Sequence, residues 1–331
     1  MVLDALSLAV DTANRNDCAA FVVLGDLFDH DRPSPQVEAA VQEILSLATS
    51  PLIVAGNHDL TSDRPGDNAL APLKPIARIV EEPTYFPELS FLALPYTHGK
   101  ADEIIPAQVE RHLPRRRAKG SAPLVGIHSG VRDDSTAKYL VDAPDSISVE
   151  VLSEMMRERK LGGVAAGNWH ERKRWFSRPS VQQVGCLCPT GFDNPGFDAY
   201  GWMAIWDSET LQFESIRVPG PRFISLRGLD SARDFDLGEE DCSVFVEVHV
   251  QPDEVVEARR IIDAMRQLEK IVDGSVMVDG TSQRKAASQA AQLARSSASL
   301  EGALKTFIGK MELSEGVKKE RVLERVKGYL K

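Results

Sequence analysis

Four short apolar runs, each closed by a glycine-bearing turn with a polar side chain, constrain this chain more than any other feature. They are AAFVVLGD (19–26), PLIVAGNHD (51–59), PLVGIHSG (123–130) and LGGVAAGNWH (161–170). Continuous apolar runs of this length read as strands buried on both faces. Amphipathic patterns lie between some of them. Leu3, Leu6, Val10 and Ala13 share a helical face, as do Val37, Ala40, Val41, Ile44 and Leu45 within 36–48, and a further helix is predicted at 148–159. Strands alternating with helices predict a layered α/β core, whose ligand sites lie beyond the strand C-termini.

After about residue 180 the pattern changes to short strands with Gly/Pro turns, which predicts an antiparallel portion. Pro219-Gly220-Pro221 is the strongest punctuation in this half and predicts a domain boundary. Beyond it, VFVEVHV (244–250) places Val244, Val246, Val248 and Val250 on one face. A helix follows over 254–272 through Val255, Ile261, Ile262, Met265 and Leu268. Residues 281–299 are rich in Ser, Ala and Gln, and the chain closes on a stripe of Val317, Val322, Leu323, Val326 and Leu330.

Composition excludes some classes. The 331 residues are 43% hydrophobic, enough for a catalytic domain plus an appendage. No apolar run reaches the roughly 18 residues that span a bilayer, and the opening residues lack a basic region and cleavage site. Four scattered cysteines (Cys18, Cys186, Cys188, Cys242) suit reduced thiols in a cytoplasmic protein; the C-x-C pair at 186–188 has no second pair to complete a zinc site. A net charge of −10 opposes unspecific adhesion to nucleic acid but permits a metal-dependent nucleic-acid enzyme.

The turns carry Asp26, then Asn57, His58 and Asp59, then His128, then Asn168 and His170. Gly-Asp after a strand is a common turn, and a lone histidine is more often a satisfied one than a ligand. Three functionally distinct polar side chains crowded at one strand end, with three further ends alongside, are not demanded by packing. A carboxylate, an amide oxygen and imidazoles suit Mn²⁺, Fe or Zn²⁺ better than Ca²⁺ or Mg²⁺.

In these turns the chain resembles the calcineurin-like metallophosphoesterases. Gly25-Asp26-Leu27-Phe28-Asp29 resembles the family's G-D-x-x-D motif, and Gly56-Asn57-His58-Asp59 matches G-N-H-[DE]. His128 fits the isolated-histidine motif, and Gly167-Asn168-Trp169-His170 fits G-H-x-H with one replacement. The stretch from Asp26 to Pro35, the Gly220-Pro221-Arg222-Phe223 junction and the closing helices resemble the SbcD-type nucleases, which pair with an SbcC-type coiled-coil ATPase in DNA break processing. The resemblance implies a four-layer α/β/β/α sandwich with a small α+β capping domain and C-terminal helices. It places a nuclease domain at 1–222, the cap at 223–280 and an ATPase-docking segment at 281–331. It further implies two divalent ions, Mn²⁺ foremost, with Mg²⁺, Fe or Zn²⁺ as alternatives. Asp26 would bridge them, Asn57 and His128 would hold one, and His170 the other. His58 would face the phosphate and protonate or stabilise the leaving oxygen, with Asp59 orienting it. A homodimer within a heterotetramer, in the cytoplasm of a prokaryotic or phage-infected cell, is the implied assembly.

Two departures qualify the resemblance. The family opens with a strand ending in D-x-H, whereas this chain begins inside the helix that should follow; the expectation is a start recorded downstream of the true one, or a truncated chain. Asn168 also replaces a histidine, which predicts weaker binding of one ion or an altered metal preference. Basic residues form two clusters: Arg111, Arg115, Arg116, Arg117 and Lys119, and Arg172, Lys173, Arg174 and Arg178 beside the last motif. Both are candidate DNA-backbone contacts, with a solvated face as the alternative, while Trp169 and Trp175 are candidates for stacking on bases or for the core. Three functions follow: a DNA exo/endonuclease subunit, a small-molecule or cyclic-nucleotide phosphodiesterase of the same fold, or a non-catalytic subunit with a decayed metal site.

Overall fold

The computed structural model describes residues 2–62, 66–115, 122–136, 143–176, 179–189, 191–192, 200–235 and 243–278. The proposed docking segment 281–331, Arg116, Arg117, Lys119 and Arg178 lie outside the described residues.

All four strand expectations correspond to strands. The first two are β1 (Val22–Val23) and β2 (Leu52–Val54), which run parallel and are joined by β3 (Arg78–Val80) in a sheet of order β1-β2-β3. β4 (Thr84–Phe86) and β5 (Phe91–Leu94) open a second sheet, to which β6 (Leu124–Ile127) belongs. β7 (Gly130–Arg132) and β8 (Ser146–Ser148) form a separate parallel pair. β9 (Gly163–Ala166), β10 (Lys173–Trp175) and β11 (Ser180–Gln183) complete the second sheet, whose order is β10-β11-β9-β6-β5-β4. β12 (Tyr200–Asp207) and β13 (Gln212–Pro219) form an antiparallel ribbon, as the Gly/Pro-rich pattern predicts.

Helix α1 (Val2–Arg15) buries Ala5, Leu6, Ala9 and Val10, a stripe at the helical period. In α2 (Pro35–Ser46) the Ser34 hydroxyl accepts from the Val37 amide at 3.3 Å, and Pro35 occupies the first turn, where a missing N–H costs nothing. Residues Ala101–His112 form α3 and Val149–Arg159 form α4; Ser148 caps α4 by accepting from Val151, and Lys160 ends it in the left-handed region.

Strand alternation then sorts the core. Ile53 on β2 packs with Leu6, Val10, Val41 and Leu45 of α1 and α2. Its neighbours Leu52 and Val54 point the other way, onto Phe86, Phe91 and Ala93 of β4 and β5. Leu92 and Leu94 of β5 turn again, onto Ile105 and Val109 of α3 and Leu152 and Met156 of α4. The central strands β2, β5 and β9 are thus buried on both faces, which explains why they read as continuous apolar runs rather than alternating ones.

Contact clustering divides the chain into two compact units. The first comprises Met1–Ile224, Leu237–Val246 and Leu268–Asp273, the second Ser225–Asp236, Glu247–Gln267 and Gly274–Lys331. β14 (Arg222–Arg227), β15 (Val244–Val250) and β16 (Asp273–Val278) form a three-stranded sheet in that order. The alternating valines of β15 are all buried, at 1% exposure or less. α5 (Gly228–Arg233) and α6 (Val255–Gln267) accompany it, with Ala232, Ala258 and Ile262 buried. Among the described residues no helix is long and apolar enough to cross a membrane.

Replacing either face of β2 should cost similar stability, because Ile53 and Leu52 are both fully buried. Ile53→Ala and Leu52→Ala are each expected to lose about 2–5 kcal/mol in denaturant unfolding. A loss under about 1 kcal/mol at either position would contradict burial on both faces.

Candidate metal centre

The site grows from the ends of β1 and β2. Gly25 has φ +95° and Asp26 has φ +52°, so the chain after β1 turns through the left-handed region twice in succession. A buried carboxylate holds this turn. Asp59 is 0% exposed, and its Oδ2 accepts from the Asp26 and Gly56 amides, each at 2.9 Å, while Oδ1 accepts from Phe28 at 3.2 Å. Burial pushes the Asp59 carboxyl up to about 6, against the opposing pull of the Gly56 and Phe28 amides. The Asp59 oxygens are therefore used on backbone donors, and the expectation that Asp59 orients His58 is corrected in part: the His58 Nδ1 instead lies 2.7 Å from the Asp29 carbonyl. His58 also binds through its amide, which donates to Asp26 Oδ1 at 2.9 Å.

His128 enters from the end of β6. Its Nδ1 lies 2.6 Å from the Leu24 carbonyl, and a carbonyl only accepts, so Nδ1 carries the proton. In the neutral ring Nε2 is then a bare lone pair. It faces Asn57 Oδ1 at 2.9 Å and Asp26 Oδ2 at 3.2 Å, with the ring almost fully buried. Three acceptor atoms thus converge on one point. Either a second proton on Nε2 or a cation among them satisfies the arrangement. Without a metal the proton is favoured. Burial pushes the His128 pKa down, but the hydrogen bond and charge of Asp26 outweigh it and the net direction is up. Burial likewise pushes Asp26 up, and His128 with the His58 amide brings it below the usual carboxylate range. With a divalent ion the same donors, one carboxylate, one amide oxygen and one imidazole, form a mixed O/N set that fits such a cation.

Packing leaves no freedom in this cluster. A Cβ on Gly25 would lie 1.9 Å from His128 Nδ1, and one on Gly56 would lie 2.2 Å from Asp26 Oδ1 and 2.3 Å from the Asp26 amide nitrogen. Those two glycines are spaces that Asp26 and His128 fill.

The last motif is placed differently. Asn168 has φ +68° and its Nδ2 donates to Asp145 Oδ2 at 3.1 Å. His170 is exposed, and its carbonyl accepts from the Cys186 amide at 2.9 Å. Among the described residues no three His, Cys, Asp or Glu side chains form a metal cluster, so His170 is not gathered with Asp26 and His128. The structure brings Asp26, Asn57 and His128 together, with His58 joined to Asp26 through its amide. Asp145, which belongs to no motif, is the neighbour that sequence reading missed; only its distance of 23 residues from Asn168, across a helix and two strand ends, separates them in the chain.

The basic residues are engaged within the fold. Arg115 pairs with Glu110 at 2.8 Å. Lys173 pairs with Asp133 at 2.7 Å, and Arg174 donates to Gln182 Oε1 and to the Phe213 carbonyl. Asp133 also accepts from Trp175 Nε1 at 2.6 Å, and these partners overcome burial to hold its carboxyl far below the usual range. Trp175 packs against the second sheet's core, as the core alternative has it. Arg172 stacks on Trp202 at 4.3 Å and donates to Ser215 at 3.3 Å. Burial and then the neighbouring Cys188 push the Cys186 thiol up to about 12.

Two outcomes are expected. Gly56→Ala should displace Asp26, lowering thermal stability and abolishing Mn²⁺ binding by calorimetry, whereas Gly191→Ala, with open space around it, should do neither. In metal-free protein the Asp26–His128 pair should stabilise the fold fully below the ordinary histidine pKa, and lose that contribution as pH rises through the raised one. The melting-temperature gap between wild type and Asp26→Asn in EDTA should therefore shrink from about pH 6 to about pH 9. A gap that widens with pH would contradict the pairing.

Residues 2–144 match the family model described as calcineurin-like phosphoesterase. No curated protein matches the chain. Among solved structures, the crystal structure of TT1561 of Thermus thermophilus is similar at 13% identity and a TM-score of 0.43, covering 65% of this chain and 93% of that one. The family match takes in Asp26, Asn57, His58, Asp59 and His128 and ends before Asn168 and His170. The segment that builds the Asp26–Asn57–His128 cluster is therefore similar to calcineurin-like phosphoesterases.

Proposed function

We propose that the chain is a metal-dependent phosphodiester hydrolase acting on DNA. The observation that carries the hydrolase reading is the convergence of Asp26 Oδ2, Asn57 Oδ1 and His128 Nε2, within a segment matched to phosphoesterases. A divalent ion held by Asp26, Asn57 and His128 would supply Lewis acidity there. The chain's own residues do the positioning. Asp59 holds the turn that aims Asp26, and the Leu24 carbonyl fixes the His128 tautomer. The Asp29 carbonyl fixes the exposed His58 ring, whose remaining nitrogen suits a contact to a phosphate oxygen. The alternating faces of β2 and β5, between α1–α2 and α3–α4, support the four-layer α/β/β/α arrangement.

The DNA reading draws on Arg172, two residues after His170, held over Trp202 with Arg217 on the same ring at 5.6 Å. Two guanidinium groups beside an aromatic suit a nucleic-acid backbone and its bases. A second reading, a small-molecule or cyclic-nucleotide phosphodiesterase, is favoured by Lys173 and Arg174 being spent on Asp133 and Gln182. The DNA reading carries with it Mn²⁺ as the ion, an SbcC-type ATPase partner docked through 281–331, a homodimer within that assembly, and a cytoplasmic site of action.

Assays with Mn²⁺ on linear double-stranded DNA and on bis(4-nitrophenyl) phosphate separate the readings. Cleavage of DNA is expected, with Asp26→Asn and His128→Ala each reducing it about 10³-fold or more. Turnover of the chromogenic diester alone would reject DNA as substrate. A folded protein that neither binds Mn²⁺ nor cleaves either substrate would leave the non-catalytic subunit as the answer.

A further inference from the structure

We propose that Asp145 is a positioning residue that turns the Asn168 amide so that its carbonyl oxygen, and not its NH₂, is offered to a divalent ion. The inference rests on the metal-centre reading above and deepens it at a motif position where this chain departs from the pattern it resembles.

Three contacts tie the Gly167–Asn168 turn to the strand ends that carry Asp26 and His128. The Gly167 amide donates to the Ile127 carbonyl at 2.9 Å, joining the end of β9 to the end of β6 immediately before His128. Gly167 also abuts the Leu24 carbonyl, where an added Cβ would come within 2.3 Å, and that carbonyl is the one that binds His128 Nδ1. Asp145 spans the same two strand ends: its backbone carbonyl accepts from Ser129 Oγ at 2.7 Å, and its carboxylate takes the Asn168 amide at 3.1 Å.

An asparagine amide has one end that donates and one that accepts, and the two are interchangeable by rotation. The carboxylate of Asp145 only accepts, so the end facing it is the NH₂. Oδ1 is thereby left as the amide's outward group, and its NH₂ is neutralised as a competing donor. Asn168 held this way presents a hard oxygen. That favours Mn²⁺ or Mg²⁺ over Zn²⁺ at the ion it contacts, relative to the imidazole it replaces. An orienting partner outside the ligand set typically changes metal affinity about 10–100-fold.

The test is Mn²⁺ titration of the full chain, followed by the electron paramagnetic resonance signal of free Mn²⁺, for wild type, Asp145→Asn, Asn168→Ala and the double variant. The Ser129 contact uses the Asp145 backbone, so Asp145→Asn leaves it in place. Asp145→Asn should weaken one Mn²⁺ about 10-fold or more and lower the Mn²⁺/Zn²⁺ preference in competition. Asn168→Ala should weaken the same ion, and the double variant should be no weaker than Asn168→Ala alone, because Asp145 acts through Asn168. Asp145→Ala carries the same expectation should Asp145→Asn fail to fold. Wild-type affinity in a folded Asp145 variant, or additive losses in the double variant, overturns the inference while the metal centre stands. A wild-type chain that binds no Mn²⁺ overturns both.

Discussion

Everything at the site depends on one buried carboxylate that touches no reacting group. Asp59 takes three backbone amides, from Asp26, Phe28 and Gly56, and so staples the turn after β1 to the turn after β2. Without it those donors would be buried unsatisfied, at about 1–3 kcal/mol each, and nothing would hold Asp26 in its left-handed conformation. The cost of this arrangement shows in the carboxyl itself, which burial pushes up to about 6. A carboxylate in this position trades its own solvation for the geometry of its neighbour.

From that staple the rest of the cluster follows by exclusion of space. Gly25 and Gly56 are flat against His128 and Asp26, so the imidazole and the carboxylate approach the backbone closely and can settle nowhere else. The Leu24 carbonyl then decides the chemistry. By taking the Nδ1 proton it fixes the tautomer that leaves Nε2 bare before two oxygens. β1 and β2 belong to one sheet and β6 and β9 to the other, so the site lies where strand ends of two packed sheets meet.

Local order explains what was legible in the sequence. The four strand runs, the capped helix at 35–46 and the alternating valines of 244–250 are each set by neighbouring residues, and each was readable from them. Asp26, Asn57 and His128 were readable because each sits in a short turn motif. What escaped reading depends on contacts between distant segments. The partners of Asp59 lie up to 33 residues away, and an acidic residue after Asn-His gives no sign that its oxygens face backbone amides rather than the histidine. Arg172, Lys173 and Arg174 looked like one charge run. They alternate along β10 and its approach, so each meets a different partner: Trp202, Asp133 and Gln182.

The same distinction bears on the replaced histidine. Read along the chain, Asn168 is a weakened ligand, since an amide oxygen binds a divalent ion less tightly than an imidazole. Read in space, it has a carboxylate on its NH₂, supplied by a residue outside every motif. An unsupported amide can swing its NH₂ toward a cation and repel it, whereas one anchored through its donors cannot. On the proposal above, the loss at this position would be smaller than the residue type alone implies, and it would have a direction. Together with Asp26 and Asn57 it would tilt the donor set toward oxygen, away from the thiolate and imidazole sets that select Zn²⁺.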